Sequence, residues 1–513
     1  MDDWKLPLLA PLSWLFWTSA AFAAQDIGTF DVADSQGCLV EGWAKDPQST
    51  SPVWVDVYVD GPYGAGGRFL FGCTANLYRS DLPYTDKNHG FDCHVPMTSG
   101  IYDGQQHSLY IYGDPVAAGT TSGMLNLSPK SIQCAVPTSV NATQFGATGD
   151  GVHDDSGAIQ SAIQTVAPSG QVTIPAGTFM LGSGAQSAQS TNGQTGTVGT
   201  YPNGQAIRSA IIISKSGVTI SGAGSSTILM LQPAVKMRAI SVASSAANVT
   251  ISNLVIDGNK ANRNASNGWP NGDVVDTLLI GWVASGMTIS SVESRNGIED
   301  GVGCWQCDQV TYANLHNHDN GTSTAGGSGA SYSGRNGVIR NSTFSGNTAP
   351  GIWSAFGTDT ITIESNTITN NGGAAISIGG QGAGLVNHDA NYTVTGNTMT
   401  GNGLSGFAAI EIYSATNGSI SGNTIDDNVS GIRIQHAPGT TVSSGWTISN
   451  NQIENTSSAR LQSAGISIED TSNQIQISNN TCVNNGVSLA DQIVIAPTAS
   501  ATLTGNTVSY QPP

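Results

Sequence analysis

The sequence is poor in charged residues, and above all in basic ones. Charged residues make up 10% of its 513 positions, with 17 Lys and Arg against 35 Asp and Glu and a formal net charge of −18 at pH 7. Binding to phosphate backbones depends on Lys and Arg, so nucleic acid is excluded as the expected partner. If the substrate is itself a polyanion, some of these few cations have to gather at its site.

The sequence also lacks an apolar run long enough to span a bilayer. The apolar stretch 6–16 follows Lys5 and precedes the Ala-Phe-Ala sequence at 21–23, which has the small-x-small pattern of a signal-peptide cleavage site. We therefore predict that residues 1–24 are a signal peptide. The mature protein is then expected to be secreted, into the extracellular space or the periplasm, without a transmembrane segment.

Cysteine is scarce and unevenly placed. Four of the seven cysteines fall in the first part of the mature chain, as expected for a small domain that is oxidised outside the cytoplasm. Of the three ways to pair them, we favour Cys38 with Cys134 and Cys73 with Cys93. These bonds would tie the first segment of the domain to its last and join two central strands.

The remaining cysteines carry less information. Cys304 and Cys307 form a lone Cys-x-x-Cys pair, which supplies too few ligands for a metal site. We expect a local disulfide or two packed thiols there. Cys482 lies in the repetitive half of the chain and is expected to be buried.

Glycine, by contrast, is abundant, with 64 residues, and Ser, Thr and Asn dominate the second half. Together with the low charge and the many β-branched residues, this composition predicts an all-β protein with frequent tight turns. Disorder is a poor alternative, because aliphatic residues recur regularly and the net charge per residue is small.

Two aromatic-rich runs in the first part of the chain alternate with a period of two residues. They cover 53–59 and 108–112, and this alternation is typical of half-buried antiparallel strands. We predict a small disulfide-bonded β-sandwich over residues 25–137. Motifs such as Gly-Trp-Ala-Lys-Asp at 42–46 resemble those of accessory sandwich modules in exported bacterial proteins.

From residue 138 onward the chain is repetitive. An Asn-Thr or Asn-Gln pair followed by an apolar residue recurs every 31 residues or fewer, which indicates a solenoid of stacked turns. Asn tolerates left-handed backbone at bends, and its amide can hydrogen-bond to the same residue one turn away. We predict a parallel β-helix with three sheets per turn over residues 138–513. The recurring asparagines are Asn366, Asn397, Asn423, Asn451, Asn480 and Asn506.

The start of this region sharpens the assignment. Residues 145–163, Phe-Gly-Ala-Thr-Gly-Asp-Gly-Val-His-Asp-Asp onward, and 170–179 resemble the N-terminal signature of the pectate-lyase-like superfamily. That superfamily includes polygalacturonase-type hydrolases, rhamnogalacturonases, lyases, alginate epimerases and phage tailspikes. The resemblance implies a right-handed parallel β-helix that acts on polysaccharides. We interpret Asp150, Asp154 and Asp155 as structural, with Asp155 or Ser156 capping a helix.

The candidate site follows from the repeat. In Gly-Ile-x-Ile strands the Ile side chains point inward and x points outward, so the outward residues of successive turns form a column. Glu411, Arg433 and Glu469 are then the predicted ionisable centre, with Tyr413 and His436 nearby. The predicted substrate-binding residues are Trp353, Trp305, Gln435 and, in a long loop, Trp269.

Two reactions fit this group, and an ordinary solvated Glu–Arg pair is the alternative to both. In a lyase, Arg433 neutralises the uronate carboxylate while Tyr413 or His436 removes the C5 proton. In a polygalacturonase- or rhamnogalacturonase-type hydrolase, Glu411 and Glu469 act as the acid/base pair.

A second candidate region covers residues 257–308. Residues 248–262 resemble the corresponding strand and loop of alginate C5-epimerase modules. The Tyr-Gly-Phe-Asp-Pro-His run of those modules is absent at 297–307, which argues against mannuronan epimerisation. Glu299 and Asp300 could serve a different chemistry there.

Metal binding stays open from the sequence. Acidic loops with Asp257, Asp273 and Asp276 could gather oxygen ligands for Ca²⁺, but none has the spacing of a dedicated calcium loop. His316 and His318 form a His-x-His pair, which is more often a satisfied loop pair than a metal or catalytic site.

We predict an enzyme that cleaves or modifies an acidic, uronate-containing polysaccharide, with β-elimination ahead of hydrolysis. A non-catalytic polysaccharide-binding or surface protein is the rival, because most outward positions of the repeat are Ser, Thr or Asn. The identity of the sugar, endo or exo action and the oligomeric state are open.

Overall fold

The computed structural model divides the chain into two compact units, residues 1–135 and 136–513. Almost all of the described chain that is not loop is β-strand. None of the described helices is long and apolar enough to cross a membrane. The residues that the structure describes are 24–186, 208–263, 277–323, 326–379, 389–436, 440–457 and 462–511.

The first unit is a sandwich of two antiparallel sheets, as its period-two runs predict. In Val53–Val59 all four valines are buried, while Trp54 is exposed on the other face. One sheet contains Ile27–Asp34, Leu39–Lys45, Asn88–His94 and Leu77–Tyr78, and the other Gly123–Met124, His107–Asp114, Val53–Val59, Arg68–Ala75 and Lys130–Ile132. Ala24–Gln25 pairs with Thr120–Thr121, and Met97–Ser99 is a 3₁₀ turn.

Two disulfides close this unit. Cys38 is bonded to Cys134 and Cys73 to Cys93, which confirms the favoured pairing. The first bond joins residues 96 positions apart and so removes a large part of the freedom of the unfolded chain. Such bonds form in oxidising compartments.

The second unit contains one α-helix among its described residues, Ser156–Thr165, near its N-terminal end. Asp155 occupies the N-cap position, but its carboxylate accepts hydrogen bonds from the backbone of Thr148 and Gly149 instead of the helix. The Asp154 carboxylate accepts from the Ser156 N–H and hydroxyl. The prediction that Asp155 or Ser156 caps the helix through its side chain is therefore wrong, because the Asp155 carboxylate accepts its hydrogen bonds from the preceding loop.

The rest of the unit is a right-handed parallel β-helix with three parallel ladders, which we name A, B and C. Short 3₁₀ turns join some strands, at Ala142–Phe145, Gly224–Ser226, Lys260–Asn262 and Leu489–Gln492. Three long strands bend and belong to two ladders each: Thr250–Asp257, Thr288–Arg295 and Ala330–Arg340.

Ladder A carries the candidate site. Its strands are Arg208–Ile213, Arg238–Val242, Leu279–Trp282, Val302–Asp308, Ala330–Arg340, Ile352–Ser354, Ile376–Ile378, Ile410–Tyr413, Ile432–Gln435, Ile466–Ile468 and Ile493–Ile495. Ala185–Gln186 pairs antiparallel with the first of them. From residue 352 to 468 the inward aliphatic side chains have no exposed surface: Ile352, Ile376, Ile410, Ile432 and Ile466.

Ladders B and C complete each turn. Besides the bent strands, ladder B contains Ser139–Asn141, Gln171–Thr173, Thr219–Ser221, Thr311–Ala313, Asp359–Glu364, Ala390–Thr395, Thr416–Ser421, Ser444–Ser449, Ile475–Ser478 and Ala501–Thr504. Ladder C contains Asp150–Asp154, Gly177–Leu181, Thr227–Leu231, His316–His318, Thr343–Ser345, Thr367–Thr369, Thr398–Thr400, Thr424–Asp426, Gln452–Glu454, Thr481–Val483 and Thr507–Ser509.

Asparagines stack between ladders B and C. The side-chain Nδ2 of Asn397 donates to Oδ1 of Asn423 at 3.0 Å, and Asn423 donates to Asn451 at 2.9 Å. The predicted amide column therefore exists and runs from Asn366 to Asn506. A second column that the repeat search missed lies between ladders C and A, and it contains Asn320, Asn347, Asn371, Asn402 and Asn428.

The stacked asparagines are not the left-handed residues, although the sequence analysis gave them that role. Their side chains turn inward and are buried. The positive φ falls on the residue before each one, for example 56° at Ser365 and 63° at Gly422. The bend thus needs two adjacent residues, one that tolerates left-handed backbone and one that hydrogen-bonds to the next turn.

Candidate functional site

The outer face of ladder A has the register that the sequence analysis assumed. Strand pairing aligns Trp353 with Ser377, Ser377 with Glu411, and Glu411 with Arg433. Neighbouring strands are about 4.8 Å apart. Trp353 therefore lies about two strand spacings from Glu411 on one continuous face.

Glu411 and Arg433 form the centre of this face. Arg433 Nε donates to Glu411 Oε1 at 2.7 Å, and Arg433 Nη2 donates to Oε2 at 2.7 Å, so the pair is bidentate. Glu411 also accepts from Gln435 Nε2 at 2.6 Å and from the Ala408 N–H at 2.9 Å. Glu411 has no exposed surface, whereas the Arg433 side chain is 22% exposed.

These contacts define what each group can do. Four protein donors hold this buried carboxylate in one position, and so Glu411 orients the guanidinium. Burial lowers the pKa of Arg433, but its hydrogen bonds to Glu411 and the charge of Glu411 outweigh this and raise the pKa above its ordinary value. Arg433 is therefore a charged guanidinium that Glu411 holds in place and that is partly exposed.

Tyr413 lies beside this pair, aligned with Gln435 on the next strand. Burial, and then the negative charge of Glu411, raise the pKa of Tyr413 to about 12. The phenol is therefore protonated at neutral pH and can donate a proton, but it is a poor base there.

Glu469 lies on the same outer face, one turn after Gln435. Its backbone N–H continues the ladder by donating to the Ile434 carbonyl, and its Oε1 accepts from the Ser467 hydroxyl at 3.0 Å. Ser467 is the partner of Arg433 in the ladder. Glu469 is half-buried, and so its carboxylate is accessible next to the guanidinium.

His436 follows the strand and lies at the edge of the face. Its backbone N–H donates to Asp470 Oδ2 at 3.3 Å, and its Nε2 lies 3.4 Å from the Thr471 hydroxyl. The Nδ1 atom is buried, and among the residues the structure describes it has no hydrogen-bond partner. The ring thus reaches the outer face less directly than Glu469 does.

An aromatic cluster occupies the same ladder on its N-terminal side. The ring of Trp305 lies 4.9 Å from Phe356, and Trp353 lies 5.2 Å from Phe356, measured between centroids. Trp305 also stacks on Trp282 at 6.0 Å with an interplanar angle of 14°. Trp305, Trp353 and Phe356 are half-buried and line one shallow pocket.

The sequence analysis missed Trp282 and Phe356. Trp282 pairs with Trp305, and each is the fourth residue of its strand. An alignment of those two strands in the sequence would therefore have found Trp282. Phe356 lies in a bend with a φ of 64°. No repeat pattern places a residue of that kind.

In the second candidate region Glu299 and Asp300 are buried, at 3% and 5% exposed, and Asp300 accepts from the Ser328 N–H at 2.6 Å. That these two residues serve a different chemistry stays a prediction. Cys304 and Cys307 form a local disulfide, one of the two alternatives predicted.

Of the three possible calcium ligands only Asp257 lies among the described residues, and its carboxylate accepts from Arg295 Nε at 2.8 Å. Asp273, Asp276 and the predicted sugar-stacking residue Trp269 lie outside the residues that the structure describes. Cys482 is a buried free thiol, as expected.

Comparison with known proteins agrees with this architecture. The family model described as "Rhamnogalacturonase A/epimerase, pectate lyase-like" matches residues 139–405, more than half of the chain. The model described as "Right handed beta helix region" matches residues 378–512.

Individual proteins are more distant. Mannuronan C5-epimerase AlgE2 of Azotobacter vinelandii is 27% identical over 278 residues, which are 52% of this chain and 25% of that protein. The catalytic unit of a GH87 alpha-1,3-glucanase from Streptomyces thermodiastaticus superposes with a TM-score of 0.50 at 17% identity, covering 95% of each chain. The Streptococcus pneumoniae surface protein and adhesin PfbA has a TM-score of 0.50 at 15% identity, covering 72% of this chain and 97% of that one. At these identities the likeness of the two structures to this chain shows a shared fold and nothing more.

Proposed function

The chain belongs to the rhamnogalacturonase A/epimerase, pectate lyase-like family, and on that premise we propose that it is a secreted enzyme that cleaves an acidic, uronate-containing polysaccharide by β-elimination on ladder A. The observation that carries the proposal is the bidentate Glu411–Arg433 pair on the outer face. In a chain with only 17 basic residues, a fixed and partly exposed guanidinium is a specific recognition element for a carboxylate. The relative named mannuronan C5-epimerase supports chemistry at C5 of an acidic sugar polymer.

The geometry favours elimination over hydrolysis. A glycosidase that used Glu411 and Glu469 would need one of them protonated as the general acid. Both carboxylate oxygens of buried Glu411 already accept hydrogen bonds from Arg433, Gln435 and the Ala408 N–H, so neither is placed to protonate a glycosidic oxygen. We therefore give Glu411 a positioning role.

In the proposed reaction Arg433 binds the uronate carboxylate and stabilises the negative charge that develops there. Glu469 accepts the proton as the C5–H bond breaks, and those electrons form the C4–C5 double bond. The C4–O4 bond breaks as this double bond forms, its electron pair leaves with O4, and O4 takes the Tyr413 proton. The pKa of about 12 keeps that phenol protonated until it is needed.

The aromatic cluster would bind the polymer beyond the reacting sugar. Trp353 and Trp305 offer partly exposed rings on the same ladder as Arg433, and rings of this kind bury apolar sugar faces at low entropic cost. A chain laid along ladder A would therefore meet the rings first and the polar group about two strands later.

The test is incubation of the purified protein with a panel of polyuronates, followed by the ultraviolet absorbance of the unsaturated product. Glu469→Gln is expected to lower kcat by at least about 100-fold, as for loss of a general base. Glu454→Gln is the matched control, because Glu454 is also half-buried and lies on ladder C. Equal rates for both variants would refute the assignment.

A polysaccharide-binding protein without turnover is the rival function. The observation in its favour is that most outward residues on ladders B and C are Ser, Thr or Asn. Retention on immobilised polyuronate without any new absorbance, and without reducing ends from neutral or acidic glycans, would favour binding over catalysis.

A further inference from the structure

A histidine cluster lies on ladder C, away from the proposed polysaccharide site. Strand pairing aligns Glu293 with His316 and Arg295 with His318. Further along the same column the outward residues are threonines. The cluster is thus a local departure from the repeat, confined to two adjacent rungs.

The side chains converge. One ligand atom from each of Glu293, His316 and His318 lies within 4.8 Å of the other two. The imidazole centroids of the two histidines are 4.4 Å apart, and His318 Nε2 is 3.3 Å from Glu293 Oε1. His316 is exposed and the other two are half-buried, so the cluster is open to solvent on one side.

The hydrogen bonds around His318 suit a ligand. Its Nδ1 lies 2.7 Å from Asp319 Oδ2, the carboxylate–histidine contact that orients the ring of a metal-binding histidine. Its Nε2 faces the Glu293 carboxylate at 3.3 Å. Two electron-pair donors that face each other at this distance repel unless a proton or a metal cation lies between them.

The surrounding charges leave a net attraction for a cation. Arg295 Nη1 contacts Glu293 Oε1 at 2.5 Å and Arg295 Nε contacts Asp257. Lys260 donates to the backbone carbonyl of Asp319, away from its carboxylate. Three carboxylates (Asp257, Glu293, Asp319) thus face two cations, so the group is negative overall when the imidazoles are neutral, and Glu293 Oε2 is still available.

We infer that Glu293, His316 and His318 bind a divalent transition-metal ion, of which Zn²⁺ is the probe. Two imidazoles and one carboxylate form a zinc ligand set that leaves a coordination position for water. Ca²⁺ and Mg²⁺ prefer sites made of oxygen atoms, so they should not compete. The ion would tie two adjacent turns of the solenoid, and because it binds the folded chain it should raise Tm.

The experiment is equilibrium dialysis of the full, tag-free chain against Zn²⁺ after chelation. We expect one bound ion per chain, with visible d–d absorption after replacement by Co²⁺. His316→Ala and His318→Ala should each lose the ion, and Asp319→Asn should weaken binding at least about tenfold by releasing the His318 ring. His153→Ala is the matched control, because His153 is also exposed and pairs with Asp150 at 2.5 Å on ladder C.

The outcomes separate cleanly. Loss of the ion in the His316 and His318 variants with retention in His153→Ala supports the site, as does a Zn²⁺-dependent rise in Tm that His316→Ala abolishes. Wild-type protein that binds no more Zn²⁺ than His316→Ala overturns it, and so does equal displacement by Ca²⁺. Because the cluster lies on ladder C, neither result depends on the activity proposed for ladder A.

Discussion

Along the interior of the solenoid the repeat places asparagine in the same position on six successive turns, from Asn366 to Asn506. On the outer face of ladder A the corresponding column is Ser331, Trp353, Ser377, Glu411, Arg433 and Ser467, and no two neighbours are alike. The same backbone supports both columns. The uniform column hydrogen-bonds one turn to the next, and we propose that the varied column carries the chemistry.

The largest effect on activity is expected when Arg433 is removed from the varied column of ladder A. Arg433→Ala should lower kcat/KM on a polyuronate about 10²- to 10³-fold, because it removes the cation that stabilises the developing charge. Product absorbance measures the loss. Arg340→Ala is the control, since Arg340 is exposed and lies at the end of a ladder B strand.

Arg433→Ala also leaves Glu411 as a buried unpaired charge, which can destabilise the chain by itself. The double variant Glu411→Gln/Arg433→Gln avoids that charge and should be equally inactive, with the circular dichroism of the parent. Activity in the folded double variant would place the chemistry elsewhere.

Replacing an asparagine of the uniform column should lower the stability of the fold without changing the activity. Asn423→Ala removes the amide that accepts from Asn397 and donates to Asn451 and to the Val394 carbonyl. Buried partners left unsatisfied cost about 1–3 kcal/mol each, so we expect a loss of about 3 kcal/mol in the free energy of unfolding. Urea denaturation measures it. A loss below about 1 kcal/mol would show that the column adds little.

This contrast also explains what the sequence could predict. Repetition gave the fold, the three ladders, the inward isoleucines and the alignment of Glu411 with Arg433, because each depends on a residue's position within one turn. The disulfide partners of the sandwich followed from their positions along the domain. What repeats is predictable without coordinates.

The failures concern residues whose position depends on bends. The Asp155 carboxylate accepts hydrogen bonds from the Thr148 and Gly149 backbone instead of from the helix. Glu293 meets His316 only because the chain returns to the same column 23 positions later. Local spacing carries no signal for contacts of that kind.

A smaller effect is expected at the edge of the varied column. Trp353→Ala should raise KM for the polymer about tenfold with little change in kcat, because stacking binds substrate and transition state alike. Trp54→Ala, at an exposed tryptophan of the sandwich, is the control for the loss of an exposed ring. A fall in kcat at constant KM would mean that Trp353 acts on the reacting sugar itself.

The smallest effect should come from the outer surface that keeps the repeat. Thr398 follows the stacked Asn397 but points to solvent on ladder C, between Thr367 and Thr424. Thr398→Ala should change the free energy of unfolding by no more than about 0.5 kcal/mol, because the Thr398 hydroxyl is in contact with water in both the folded and the unfolded chain. Urea denaturation beside Asn423→Ala puts both on one scale. If Thr398→Ala were as damaging as Asn423→Ala, the stability of the solenoid would depend on its outer threonines as much as on its buried amides, and the division of labour between uniform and varied columns would not hold.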